Sequence, residues 1–296
     1  MRPRRPILIV HGDAKTRRLV HRILGATFAP VRAVADLDEA APDLAEVPPF
    51  LVVAEQAQLA SERGQSLLAQ GRDGQGPACL VLLEDGDVDL GMLASGSLTN
   101  LLTNPLPLFA EDLTITALKL LHRDIFGLEK YLSWGVEAEV HDLADPSERP
   151  DLVTAIGGHV EAAGLGSRVA HHASLIADEL LSNAAHSTSG SVRLRYACDG
   201  RYLAIEVSDP AGDLRRETIM RSLTKAISRG IGKIEMRGRG AGIGLAAVYG
   251  ACNHLVFNLA PGRRTEVIGL IDVRFRPAEL GTTTPSFGLF WDRGSA

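Results

Sequence analysis

Residues 191–208 read SVRLRYACDGRYLAIEVS. Apolar and polar side chains alternate through SVRLRYA and again through YLAIEVS, the period of a half-buried strand. Asp199-Gly200 lies between the two runs, and an Asp-Gly pair flanked by alternating segments predicts an antiparallel hairpin. Immediately upstream, residues 151–163 and then RVAHHASLIADELLSNAAHS (168–187) carry helical spacing, separated by the break Gly164-Leu165-Gly166. Helices followed by antiparallel strands predict an α+β layer. An alternating strand VEAEVHDL and the turn ADPSERP open this region. A helix LAAVYGAC, a hairpin at Pro261-Gly262 and a strand TEVIGLIDVRF close it.

Toward the N-terminus the pattern differs. PILIV (6–10), FLVVA (50–54), ACLVLL (78–83) and NLL (100–102) are short continuous apolar runs, and helical stretches such as AKTRRLVHRIL lie between them. Counting one weaker segment, five such units fill the first part of the chain, which predicts a parallel sheet covered on both faces. From Leu113 to Leu132 the spacing predicts one long connector helix with a soft break at Gly127. The expected organisation is therefore an α/β domain over 1–122, a connector over 113–134, an α+β domain over 135–275 and a tail over 276–296. A final strand SFGLFW is expected in the tail, which also carries Thr282 to Thr284 and Ser286.

A length of 296 residues suits two domains of about 150 residues each. With 31 basic and 36 acidic residues the net charge is −5, which supplies no general attraction to nucleic acid or to an anionic membrane. Cys79, Cys198 and Cys252 lie far apart, which disfavours a disulfide framework or a zinc knuckle. The apolar run after MRPRR stops after four residues at His11-Gly12-Asp13, too short for a signal peptide. No segment approaches the ~20 apolar residues of a membrane span. A cytoplasmic location is expected.

Three stretches of the second domain carry chemistry. In ADELLSNAA (177–185), Glu179 and Asn183 are one helical turn apart and share a face, while Ile176, Leu180 and Leu181 pack beneath. An asparagine carbonyl is a neutral magnesium ligand, and a glutamate one turn earlier can orient or deprotonate a nucleophile. Asp209 follows a strand and begins Asp-Pro-Ala-Gly, ending at Gly212. Its carboxylate can accept from an exocyclic amine of adenine, although a plain Asp-Pro turn has the same sequence. In GRGAGIGL (238–245), glycines at alternate positions precede an apolar helix, so successive N–H groups can converge on an anion. The spacing is neither that of a dinucleotide fingerprint nor that of a Walker loop.

The order E-x-x-x-N, strand-Asp, G-x-G-x-G-L resembles the GHKL ATPase superfamily of histidine kinases, gyrase-type ATPases and anti-sigma-factor serine kinases, over residues 135–275. The resemblance implies a two-layer α/β sandwich binding ATP and magnesium. Asn183 would hold the metal, Asp209 and Thr265 would lie at adenine, and Gly240, Gly242 and Gly244 would surround the phosphates. A mobile lid over 213–238 would carry Lys225, Arg229, Lys233 and Arg237, with Arg239 just beyond it. Gly212 departs from the family by standing three residues after Asp209 instead of two, with Pro210 between, and no aromatic-rich lid motif is present.

His122, followed by Arg123-Asp124, faintly echoes a phosphoacceptor, but only one helix precedes the strand VEAEV, so no dimerisation hairpin can form within the chain. His171, His172 and His186 on the Asn183 helix suit packing or surface roles. The second domain is therefore more similar to the anti-sigma-factor serine kinases, which would make Glu179 the general base toward a partner's hydroxyl. A catalytically inactive nucleotide sensor or scaffold stands beside that reading.

The first domain, opening ILIV-x-x-D, resembles the receiver domain of two-component response regulators over residues 6–122, with an unrelated flavodoxin-like fold as the alternative. In the receiver register the metal-binding acidic pair falls on His11 and Gly12, with Asp13 one place late. The phosphoacceptor falls on Glu55 and the lysine on Asn104 before Pro105. Glycine offers no oxygen to magnesium and histidine prefers softer metals, so this implies a receiver shape without phosphoryl transfer, serving as a surface for a signalling partner or a second copy.

Overall fold

The computed structural model describes residues 5–41, 47–72, 76–83, 88–94, 98–102, 109–187, 191–228, 244–274 and 284–292. The chain is a mixed α/β protein that divides into two compact units, Met1–Ile125 and Phe126–Ala296.

In the first unit, β1 (Ile7–Val10), β2 (Val31–Val34), β3 (Leu51–Glu55), β4 (Ala78–Leu82) and β5 (Asn100–Leu102) pair in parallel in the order β2-β1-β3-β4-β5. The helices are α1 (Ala14–Gly25), α2 (Gln56–Ala60), α3 (Glu62–Arg72), α4 (Leu90–Ala94) and α5 (Phe109–His122). Asp13 starts α1 by accepting the Thr16 backbone N–H at 2.6 Å. Val20 and Leu24 of α1 and Leu113 and Ala117 of α5 pack with Ile7, Ile9, Leu51, Val53, Leu80 and Leu82 on one side of the sheet. Leu8, Val10, Val52 and Val81, which point the other way, are buried too.

The second unit begins with a single 3-10 turn, Leu128–Tyr131, and continues with β6 (Glu139–Leu143), α6 (Arg149–Ala162) and α7 (Ser167–Ser187). The remaining elements are β7 (Val192–Cys198), β8 (Tyr202–Asp209), α8 (Arg216–Ser228), α9 (Gly244–Ala251), β9 (His254–Ala260), β10 (Arg264–Asp272) and β11 (Ser286–Trp291). The sheet runs β11-β9-β10-β8-β7-β6, antiparallel throughout except that β11 is parallel to β9. Asp199 closes the β7–β8 hairpin by accepting from Arg201 and Tyr202 N–H at 2.8 and 2.7 Å. Gly200 there takes φ +80°.

A Cβ on Gly269 would sit 2.9 Å from Ile176 Cγ2, so Gly269 faces α7. Its register partner Ile205 faces α7 too, and alternation puts Val207, Asp209, Thr265 and Val267 on that inner face. Glu206, Ser208, Arg264 and Glu266 point to the outer face.

Two expectations are corrected. The connector over 113–134 is not one helix: α5 stops at His122, Arg123 adopts φ +56° and Gly127 φ +113°, both incompatible with continuing an α-helix. The expected lid over 213–238 is a packed helix over its described part, because Ile219, Met220, Leu223 and Ala226 of α8 form a buried face. Lys225 belongs to that helix, while Arg229, Lys233 and Arg237 lie outside the described residues. A strand without counterpart in the sequence reading, β2, runs through VRAV. Among the described residues no helix is long and apolar enough to cross a membrane.

Candidate functional site

α7 is amphipathic. Ile176, Ala177, Leu180 and Leu181 are buried, which leaves Glu179 half-buried and Asn183 exposed on its other side. α9 begins at Gly244 and packs against α7. A Cβ on Gly244 would overlap Glu179 Oε2 and lie 3.4 Å from Asn183 Nδ2. Two polar side chains one turn apart therefore meet the backbone at the start of a second helix, at a glycine whose lack of a Cβ lets them approach. Burial, and after it the charge of Asp178, raises the Glu179 carboxyl above its usual range, while Arg149 draws it down. Arg149 is itself paired with Asp178 at 3.1 Å. A carboxylate so placed is inclined to take a proton from a neighbouring hydroxyl.

The far end of α9 is tied to the same helix, because His172 Nδ1 meets the Ala251 carbonyl at 2.9 Å. Burial lowers the His172 value, which favours the neutral ring. A neutral imidazole donating from Nδ1 fixes α9 along α7 without adding a charge there.

Asp209 and Thr265 are register partners across β8 and β10. Asp209 Oδ1 accepts from Ala211 N–H at 2.9 Å and from Gly212 N–H at 3.1 Å, while Oδ2 makes no hydrogen bond among the described residues. The Asp-Pro turn thus exists and engages one oxygen of the carboxylate. Gly212, at φ +66°, is needed there: a Cβ would lie 2.5 Å from the Ala260 carbonyl oxygen and 2.7 Å from Arg263 N, so the turn packs onto the β9–β10 hairpin. Thr265 is buried and its hydroxyl has no hydrogen-bond partner among the described residues. An orphaned buried hydroxyl costs about 1–3 kcal/mol unless a ligand satisfies it.

Oδ2 of Asp209 and Oγ1 of Thr265 remain on the inner face, and the Gly244 backbone lies against the Glu179–Asn183 turn. Among the described residues no group of three or more His, Cys, Asp or Glu side chains could hold a metal ion. Arg239, Gly240 and Gly242 lie outside the described residues. A cleft of ≈ 430 Å3 is lined by Arg193, Ser208, Arg263 and Arg264 of the outer face together with Asp142 and Ser191, and it reaches Asp209 and Pro210 at the end of β8.

In the first unit, His11, Gly12, Asp13 and Glu55 meet at the ends of β1 and β3, the strands where the sheet order reverses. Glu55 Oε1 accepts the Gly12 N–H at 2.7 Å. Asp13 is engaged as the α1 cap, and its own N–H reaches His11 Nδ1 at 3.1 Å. Arg17 Nη1 donates to the His11 and Gly12 carbonyls at 2.5 and 2.8 Å. The crevice where α/β sheets bind ligands is thus lined by the chain's own hydrogen-bonded carboxylates. Asn104 lies outside the described residues.

One group escaped the sequence reading: Glu206, Glu266, Arg195 and Asn258 on the outer face of the second sheet. Glu206, Glu266 and Asn258 are fully buried. Charged residues alternating with apolar ones read as a solvated face, and nothing local in sequence signals that residues 126–131 cover them. The three cysteines are free thiols, as expected.

Comparison with protein-family models finds no match, and comparison with curated proteins finds no significant similarity.

Proposed function

We propose that the second unit is a GHKL-type Mg-ATP-binding domain in a cytoplasmic signalling protein, whose first unit is a receiver-like domain that does not take a phosphoryl group. The contact of Gly244 with Glu179 and Asn183 carries this reading, since it joins two of the three sequence motifs at one point. Mg-ATP, when bound, supplies the transferable γ-phosphoryl group. Asn183 would hold the metal through its amide oxygen. Asp209 Oδ2 and Thr265 Oγ1 would meet the adenine, and Glu179, with its raised proton affinity, would accept the proton of a protein serine or threonine hydroxyl. The resulting activity is that of a protein kinase of the anti-sigma-factor kinase type.

A second reading, a nucleotide sensor or scaffold without transfer, is favoured by Asp209, half of whose carboxylate is engaged in its own turn. In either reading the first unit offers a docking surface to a signalling protein or a second copy of the chain. The support there is Glu55, whose carboxylate already holds Gly12 N–H.

Calorimetric titration of the full chain with Mg-ATP, alongside Asn183→Ala, tests the nucleotide assignment. Saturable binding that weakens at least tenfold in the variant is expected; equal binding, or none, removes it. Labelled ATP offered with candidate protein partners then separates kinase from sensor.

A further inference from the structure

The segment that opens the second unit lies across the outer face of that unit's sheet. Gly127 N–H donates to Glu266 Oε1 at 2.9 Å and Oε2 at 3.3 Å. The Arg264 guanidinium lies 4.6 Å from the centre of the Phe126 ring, Glu129 pairs with Arg195, and Arg201 donates to the Tyr131 carbonyl at 3.2 Å. Beneath this segment Glu206 and Glu266 have side chains that are 0% exposed. Arg195 meets Glu206 Oε2 at 3.2 Å, Arg264 meets Glu266 Oε2 at 2.7 Å, and Asn258 donates to Glu266 Oε1 at 2.7 Å. Among the described residues Glu206 Oε1 accepts no hydrogen bond, and it has Arg264 at 3.7 Å.

Glu206 and Glu266 are buried on the same face of the sheet, and Glu206 Oε1 accepts no hydrogen bond among the described residues. Two like charges buried so close are relieved by taking up one proton. We propose that residues 126–131 form a proton-responsive latch, seated on the sheet when Glu206 is protonated and loosened when it is ionised. The latch is the covalent join from the first unit, so its state decides how much of that join the second unit holds. The nucleotide reading is not needed for it.

The groups that face Glu206 are Arg195 and Arg193 from β7, Glu266 and Arg264 from β10, and Glu129 and Lys130 from the latch. From β9 come Asn258, which carries no charge, and His254, whose ring meets Tyr131 edge-on at 6.1 Å. Burial first, then the charge of Glu266, push the Glu206 carboxyl up to about 7; Glu129 adds to the rise while Arg195 and Arg264 oppose it. Unseating the latch exposes Glu206 to water and moves it toward the ordinary glutamate value of about 4.3. The seated state therefore binds the proton more tightly. Seating is favoured below pH 7 and weakens as pH rises through it, by about tenfold between pH 6 and 8.5 if the relaxation is complete.

Hydrogen exchange of the 127–131 amides in the full chain, corrected for intrinsic exchange rates, tests this. Protection is expected to fall up to about tenfold from pH 6 to 8.5 in the wild type, and to stay at its pH 6 level in Glu206→Gln. Glu129→Gln changes a side chain that is 60% exposed, which leaves the fold intact, and should weaken protection at pH 6. Constant protection in the wild type, an unaltered pH dependence in Glu206→Gln, or unchanged protection in Glu129→Gln overturns the proposal.

Discussion

A Cβ on Gly244 would overlap Glu179 Oε2, on a different helix, so a side chain there requires the end of Glu179 to move. Gly244→Ala must therefore displace either the Glu179 carboxylate or the start of α9. A loss of at most about 1 kcal/mol in unfolding free energy is expected, because the atom met is the movable end of the half-buried Glu179 side chain, together with weaker nucleotide binding. The double variant Gly244→Ala, Glu179→Ala should recover most of the stability without the binding. Additive losses in a denaturant-based double-mutant cycle would mean that the two residues do not compete for that space.

Thr265→Val tests whether the buried hydroxyl is kept for a ligand. Removing an unpartnered buried polar atom is expected to stabilise the nucleotide-free protein by about 1 kcal/mol while weakening Mg-ATP binding severalfold. Urea denaturation and calorimetric titration read the two effects separately. A variant that binds as tightly as wild type would show that Thr265 does not reach the base.

The β7–β8 hairpin and α7 were legible because each states itself locally: strict alternation around Asp199-Gly200, and an apolar stripe through Ile176, Leu180 and Leu181. The Gly244 contact was legible only as an expectation that three motifs converge, since sequence order says nothing of which helix faces which. Other features were hidden for physical reasons. α8 carries its apolar face as Ile219, Met220, Leu223 and Ala226, diluted among Arg and Lys, so the stretch reads as a loop until packing is seen. β2 is VRAV with Arg32 and Ala33 exposed, too short and too polar to register as a strand. The connector failed at Arg123, whose φ of +56° ends α5, and again at Gly127, whose φ of +113° places its N–H on Glu266, a residue remote in sequence. Helical periodicity cannot express a contact of that range.

The hydrogen bond from Thr16 N–H, joined by the Thr16 side chain, holds the Asp13 carboxyl below the usual aspartate range. A folded-state value that is lowered stabilises the protein above the ordinary value of about 3.9 and is lost as pH falls through the lowered one. Asp13→Ala should therefore lower Tm at pH 7, with the difference from wild type shrinking in acid. Asp13→Asn keeps the cap without the charge and should lose less. Equal Tm values for wild type and Asp13→Ala at pH 7, in scanning calorimetry, would contradict the capping role.

Burial pushes the Cys79 thiol up to about 12 and raises Cys252 as well, whereas Cys198 is only half-buried. Thiols held protonated and covered do not react. An aromatic disulfide reagent near pH 8 should modify Cys198 alone in the native protein and all three cysteines in denaturant. Rapid native modification of Cys79 would mean that the first sheet opens far more readily than its packing implies.

The most direct test of the nucleotide site replaces magnesium with paramagnetic manganese and follows backbone amide resonances of the full chain as Mn-ATP is added. Selective broadening of the Glu179–Asn183 turn and of Gly244 and Leu245, reversed by excess Mg-ATP, is the expected result. Broadening centred instead on the first unit or on the outer-face cleft at Arg193 and Arg264, or no selective broadening at saturating Mn-ATP, would contradict the assignment.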